Sequence, residues 1–358
     1  MPRIMKFLAA VLALSMLASA CGDDDGTAAS GGVPTVVVTT NILGDVVTQL
    51  AGGTVEVVTI MPVGADPHDF QASAQQAAAM RTADVLIVNG GSFEEGLLDV
   101  IEGAESDGVN VYEAMSAVTT IEFDENDHDD HRDHDDHDDD HDHDHDDDDD
   151  DHDDHDDHDD HDDDGDHDDH DDHSGHDHSG EDPHFFTDPA RMAAAVDDIA
   201  AFLIANVEGI DADIVTEAAE AYHEDLEALD AEVEAMVADI PAENRVLITN
   251  HEVFGYFADR YGFEVAGAII PGGSTIDGTS AGDLAELAEL ITDEGVFAIF
   301  ADVSASDQLA QTLADEVGGD IQVVELFTES LGDSDSDGAT YIDMVRANAT
   351  RIAEALAS

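Results

Sequence analysis

The chain has 358 residues, of which 89 are Asp or Glu and only 9 are Lys or Arg, for a formal charge of −80. Its length suits roughly two domains of ordinary size, and 42% hydrophobic residues are enough for a core. A surface of that sign repels phosphate backbones and anionic headgroups, so nucleic acid is excluded as a partner, and with Lys6 the single lysine, no phosphate-loop lysine or lysine Schiff base is available beyond it.

Residues 1–20 read as an export signal. Arg3 and Lys6 form a small positive start, and the apolar run at 7–17 is too short to cross a bilayer, so cleavage is expected rather than spanning. Leu17-Ala18-Ser19-Ala20 before Cys21 has the small residues of a bacterial lipobox. Cys21 is therefore expected to carry lipid and to head the mature chain; the plainer alternative is an ordinary signal with a spare thiol. Residues 21–33 then read as a flexible tether rich in Gly, Ala, Ser and Asp. As Cys21 is the one cysteine, the folded part holds no disulfide. The expected location is the outer face of the cell membrane, on its periplasmic or extracellular side.

Strands and helices alternate from Val33 onward. Strands are expected at 35–40, 55–60, 85–88 and 109–112, and helices at 41–50, 73–82 and 92–101. Strands separated by helix-length segments argue for parallel βαβ units. Residues 127–178 interrupt the series with 32 Asp, 16 His and one Arg. Without hydrophobic period this tract cannot offset an ordering entropy of ~1–2 kcal/mol per residue, so it is expected to be a disordered inserted loop. A helix capped by Thr187-Asp188-Pro189 follows, running to about Asn206.

Residues 213–239 contain no Gly or Pro, and their apolar positions recur at three- and four-residue steps. Such a helix is roughly 40 Å long, the length of a strut along a two-lobed protein. A second α/β series has strands at 246–249, 265–270, 296–301 and 321–326, with helices at 251–261, 281–292, 306–317 and 340–356. The expected fold is α/β: two lobes with parallel-type sheets flanked by helices, joined by the long helix. The N-terminal lobe would be 34–212 and the C-terminal lobe 240–358.

Outside the acidic tract only His68, His184, His223 and His251 remain. His223 lies mid-helix and reads as a packed or solvated helix residue. His68 stands in Gly64-Ala65-Asp66-Pro67-His68-Asp69-Phe70 after the second strand, and His184 in Asp182-Pro183-His184-Phe185-Phe186 where the acidic tract ends. His251 stands in Asn250-His251-Glu252-Val253-Phe254-Gly255-Tyr256-Phe257, after the first strand of the second lobe. His68 and His251 thus occupy carboxyl ends of strands, where open α/β sheets collect ligands, and the prolines would fix the backbone that aims the imidazoles. Singly, each histidine is more often a hydrogen-bonded core or cap residue; three at loop ends point to a site. Imidazoles plus one carboxylate make a borderline-soft set that suits Zn2+. The best carboxylate candidate is Glu329, in Phe327-Thr328-Glu329-Ser330-Leu331 after the last strand, and two ligands per lobe would put the metal in the inter-lobe cleft.

These segments, in this order, resemble the solute-binding lipoproteins of bacterial zinc/manganese ABC importers. The long helix, the lipobox and a His/Asp-rich loop between the first two histidines fit as well, over the chain from about Val36. The resemblance implies metal ligands at His68, His184, His251 and Glu329, Zn2+ as transported ligand, and an ABC importer permease as partner. It also implies a monomer anchored to the membrane through lipid on Cys21, with a periplasmic or extracellular metallochaperone as a candidate loading partner. Histidine at the third position resembles the zinc branch, whereas manganese receptors carry glutamate there. The fourth position is more often aspartate in the family, and Glu329 is one methylene longer.

A manganese-type receptor is the nearest alternative. A different class would be an exported zinc hydrolase with three histidines, a metal-bound water and Glu252 or Glu329 as base; a third is a surface metal buffer built on the tract. Three other motifs fail on inspection. His251-Glu252 lacks the second histidine of a metalloprotease helix, Gly255 standing in its place. Asp333 to Gly338 copies the first half of a calcium loop, but Met344 stands where the bidentate glutamate belongs. Ser274, in Gly-Gly-Ser-Thr-Ile, lacks the last glycine of a hydrolase elbow.

Overall fold

The computed structural model describes residues 33–123, 180–276, 278–319 and 321–357. The export signal, Cys21, nearly all of the tether and the Asp/His tract at 127–178 lie outside the described residues. In the N-terminal half β1 (Thr35–Val38), β2 (Glu56–Thr59), β3 (Val85–Val88) and β4 (Asn110–Glu113) form one parallel sheet in the order β2-β1-β3-β4. The central strands are apolar where both faces are covered: Val36, Val37 and Val38 of β1 and every residue of β3 are buried. The C-terminal half has two parallel pairs, β5 (Val246–Thr249) with β6 (Glu264–Ala268) and β7 (Ala298–Asp302) with β8 (Gln322–Leu326). All eight expected strands are present.

The helices are α1 (Asn41–Ala51), α2 (Ala74–Met80), α3 (Leu98–Ser106), α4 (Pro189–Asn206), α5 (Ala212–Val237), α6 (Gly255–Tyr261), α7 (Ala281–Glu294), α8 (Gln308–Val317) and α9 (Tyr341–Leu356). Local signals set several starts. The Thr40 hydroxyl accepts from Leu43 N–H at the head of α1, Ser73 and Gln76 form a capping box at α2, and Asp188 accepts from Ala190 N–H before Pro189 opens α4. The 26 residues of α5 bury Val215, Ala219, Tyr222, Leu226, Leu229, Val233 and Val237, a 3.6-period stripe that packs on α4 and α1 of the first half and α9 of the second. His223 lies on the same helix, half-exposed, with Nδ1 3.1 Å from Asp197 Oδ1 on α4. In the acidic 333–338 loop, Asp337 is taken up by Arg351 at 2.8 and 2.9 Å.

Two helices begin later than their sequence suggests, and both delays shape the site. Residues 92–101 read as a helix, but α3 starts at Leu98 after a single 3-10 turn at Glu95–Leu97. Gly90, Gly91 and Ser92 all have positive φ (89°, 63° and 60°), so the chain coils back after β3. The buried Glu94 carboxylate gathers that coil, accepting from Asn89 N–H at 2.7 Å and from the Thr39 hydroxyl. Helix α6 starts at Gly255 rather than 251, because the His251 carbonyl is taken by the Thr249 hydroxyl (2.7 Å) and Val253 N–H (2.8 Å). His251 thereby stays on the loop at the end of β5.

Candidate metal centre

The structure brings His68, His184, His251 and Glu329 together. One ligand atom from each lies within 4.8 Å of every other, and the four residues are at most 3% exposed. His68 follows β2, His251 follows β5 and Glu329 follows β8, all past carboxyl ends of strands, while His184 precedes the short turn Phe185–Thr187 that leads into α4.

Three imidazoles converge on one carboxylate oxygen. Glu329 Oε1 is 2.8 Å from His68 Nε2, 3.2 Å from His184 Nε2 and 3.2 Å from His251 Nε2. These separations are close to the ~3.3 Å ligand-to-ligand edge of a tetrahedron with metal bonds near 2.0–2.1 Å. Phe93 packs edge-on to His68 and His184, with centroids 5.4 and 5.5 Å away, and walls the cluster with apolar surface.

Outer carboxylates set which ring nitrogen faces inward. His184 Nδ1 lies 2.8 Å from Asp182 Oδ1, and His68 Nδ1 lies 2.9 Å from Glu95 Oε1. A carboxylate only accepts, so both Nδ1 atoms carry protons and both Nε2 atoms are presented to the centre. His251 differs. Its Nε2 is near Glu329 without hydrogen-bond alignment, and its Nδ1 has no hydrogen-bond partner among the described residues. Two buried ring nitrogens without partners are a cost that a coordinated cation would relieve at one of them.

Charge balance follows from the same contacts. Burial alone would lower the His68 pKa, but the Glu329 charge and the bonds to Glu329 and Glu95 outweigh it and raise it to about 10. His184 is raised likewise: burial opposes, and Asp182 and Glu329 prevail. Burial pushes Glu329 up, but the facing His251 and His68 charges and the bond from His184 hold it well below the usual carboxylate range. Without metal the centre is thus an ion-paired cluster with protons where a cation would sit.

Sequence reasoning assigned the aim of the Asp-Pro-His segments to proline. The aspartates do more: Asp66 Oδ1 accepts His68 N–H at 2.9 Å and Asp182 Oδ1 accepts His184 N–H at 2.8 Å. The Asp-x-His spacing is an Asx-turn signal and could have shown it. Glu95 carried no comparable signal, since only the coil before α3 brings it to His68. Asn41 was also missed; its Nδ2 donates to Ser330 Oγ at 3.0 Å and its Oδ1 accepts Leu331 N–H at 2.7 Å, fixing the residues after Glu329.

Residues 36–355 match the family described as zinc-uptake complex component A, periplasmic. Among curated proteins, the chain is 29% identical to the zinc-binding protein TroA of Treponema pallidum, over 98% of each. It is 25% identical to the manganese-binding lipoprotein MntA of Halalkalibacterium halodurans, over 94% of each. Among solved structures, the periplasmic zinc-binding protein TroA from Treponema pallidum superposes with a TM-score of 0.72 at 27% identity, covering 91% of this chain and all of that one.

Proposed function

The chain belongs to the zinc-uptake complex component A family, and on that premise we propose that it captures Zn2+ outside the cytoplasm and hands it to the permease of an ABC importer. At the coarser level it is a metal-binding substrate receptor of an ABC importer, of a family of solute-binding proteins rather than enzymes. The observation that carries the zinc reading is the donor set: three imidazole Nε2 atoms and one carboxylate oxygen, buried and at near-tetrahedral spacing. His68, His184, His251 and Glu329 are the proposed ligands. Manganese favours more oxygen donors and higher coordination, and zinc exceeds it in affinity at a given nitrogen and oxygen site.

The similarity to a manganese-binding lipoprotein keeps a manganese receptor as the second reading. Hydrolysis draws less support. Glu252 lies outside the four-residue cluster and accepts Gly272 N–H at 3.2 Å, while Glu329 is committed to the three histidines. For the residues outside the described parts, we propose a cleaved signal at 1–20, a lipid anchor on Cys21 and the 127–178 tract as an inserted loop of weak metal ligands. The lobe limits proposed are 34–212 and 240–358 around the linking helix, and the proposed working form is a monomer. No helix among the described residues is long and apolar enough to cross a membrane.

Competition titration against chromogenic chelators tests the metal assignment. The expected result is one tight Zn2+ site per chain with Mn2+ much weaker, and its loss in His68→Ala, His184→Ala or His251→Ala. Equal or tighter binding of Mn2+ would favour the second reading, and a His251→Ala variant with wild-type affinity would remove the four-ligand assignment.

A further inference from the structure

The loop at 271–276, which follows β6, touches a neighbour of each proposed ligand histidine. Thr275 Oγ1 donates to Asp66 Oδ2 at 2.6 Å, and Asp66 Oδ1 is the acceptor that caps His68 N–H. Gly273 has no room for a Cβ because the Phe123 ring fills that space; the same ring lies edge-on to His184, with centroids 6.3 Å apart. Gly272 is tied twice to Glu252, the residue after His251: Glu252 N–H donates to Gly272 O at 3.1 Å, and Gly272 N–H donates to Glu252 Oε1 at 3.2 Å.

Three sets of hydrogen bonds join the halves beside the site, and they differ in burial; in one, the buried Tyr256 hydroxyl donates to Asp182 O at 2.6 Å. Asn41 bonds Ser330 and Leu331 in a buried cluster, joined by Gly64 N–H to Ser330 Oγ at 2.7 Å. The third is the single, partly buried Thr275–Asp66 bond beside the ring on Gly273. Local opening draws first on contacts that are few and near solvent. The Thr275 bond therefore opens before the buried Asn41 and Tyr256 bonds.

We propose that Thr275 is a positioning residue that sets the rate of metal release, by tying the 271–276 loop to the aspartate that holds the His68 backbone. The proposal rests on the reading of His68, His184, His251 and Glu329 as the metal site. With the bond made, His68 is held at its backbone by an aspartate that is itself anchored to the opposite half. With the bond broken, Asp66 keeps its cap on His68 but no longer resists separation of the halves. Thr275 touches no proposed ligand, so its effect falls on release and leaves the ligand set alone.

The test uses the full chain loaded with Zn2+, with release followed by stopped flow into excess chromogenic chelator. Thr275→Val removes the hydroxyl and keeps the shape; Thr275→Ser keeps the hydroxyl. The Val variant is expected to release about tenfold faster, the worth of one bond to a charged acceptor, and the Ser variant within about twofold of wild type. The visible spectrum of the Co2+ form should be the same in all three, because the ligands are untouched. Release by the Val variant within about twofold of wild type overturns the proposal, as does fast release by both variants or a changed Co2+ spectrum in the Val variant. A wild-type chain that holds no tight Zn2+ would instead overturn the four-ligand reading, before any variant is compared.

Discussion

Asp182 offers the sharpest test of how the metal centre is held. Its side chain is 2% exposed, and one oxygen accepts both the backbone N–H and the ring Nδ1–H of His184 at 2.8 Å. Asp182→Ala leaves two buried donors without an acceptor, in a place where Gly255 already closes to 2.5 Å from the carboxylate, counted from where its Cβ would lie. Each unsatisfied buried donor costs about 1–3 kcal/mol. The backbone donor loses its partner with or without metal; the ring donor matters more to binding, because its loss frees the imidazole to rotate or change tautomer. Loss of such an outer partner weakens metal affinity by about 10–100-fold, which is about 1.4–2.7 kcal/mol.

Asp182→Asn grades the effect. The amide retains an acceptor oxygen of the same shape but loses the charge, and a charge-assisted bond is about twice as strong as a neutral one. Its affinity should fall between wild type and Ala, by about tenfold or less. Glu95→Ala removes the corresponding partner of His68, but the Glu95 side chain is 17% exposed, so water can take over the Nδ1–H and the loss should be smaller than for Asp182→Ala. Chelator competition measures all three, with thermal unfolding of the metal-free forms as the check on folding. A folded Asp182→Ala variant with wild-type affinity would refute the argument that this carboxylate aims the ring.

Metal affinity should rise with pH between about pH 6 and about pH 8. His68 titrates near 10 in the metal-free chain, so binding must displace a proton, and each displaced proton costs tenfold per pH unit; calorimetry in buffers of different ionisation enthalpy counts the protons, and a count of zero would contradict the ion-paired cluster. The stability that this His68 shift lends the metal-free fold is fully present below the ordinary histidine pKa of about 6.5 and is lost as pH rises through about 10, which denaturant midpoints across that range would detect. Ser92, exposed and at φ 60°, should tolerate glycine with little change, whereas Ser92→Val should lose about 1–2 kcal/mol in urea unfolding; equal stability of the two variants would argue against the left-handed turn. With a formal charge of −80, the urea midpoint should increase as salt is raised toward about 1 M, where screening shortens to about 3 Å, and a flat response would mean that self-repulsion is unimportant. Joining Phe123 to Gly180 by a short turn in place of the tract should leave the tight site intact, because Phe123 N–H already bonds Gly180 O at 3.2 Å and Asp182 N–H bonds Ile121 O at 2.8 Å; loss of tight binding in a folded deletion protein would place a ligand in the tract.

The strands and the long helix were legible because their signals are local. A run such as Val85–Val88 admits little but a buried strand, and the α5 stripe repeats over seven buried positions. Starts of α3 and α6 were not legible, because distant or backward side-chain bonds decided them: the Glu94 carboxylate accepts from Asn89 N–H and the Thr39 hydroxyl and so holds the coil before α3, and the Thr249 hydroxyl donates to the His251 carbonyl. The histidines stood out because the rest of the chain outside the tract is nearly bare of them. Glu95 and Asn41 did not, since an ordinary acid after β3 and an ordinary amide at the head of α1 gain meaning only once the fold brings them to His68 and Ser330.

On the proposed reading of the four residues as the metal site, the partition of the cluster accounts for how so enclosed a centre would let its cargo go. His68 and His184 come from the segments before α5, His251 and Glu329 from those after it. Neither half holds more than two of the four proposed ligands. While the halves meet, a cation held by these four would have a complete tetrahedral shell, away from bulk water. Once they part, each half offers two donors, and the carboxylate oxygen that faced three imidazoles faces at most one. The protons then return to Nε2 atoms, which Glu329 stabilises in the closed metal-free form, so the empty centre is neither a set of bare nitrogens nor a lone buried carboxylate. On that proposed reading, capture and release would differ by the separation of two halves and an exchange of protons for metal, with no covalent step in either.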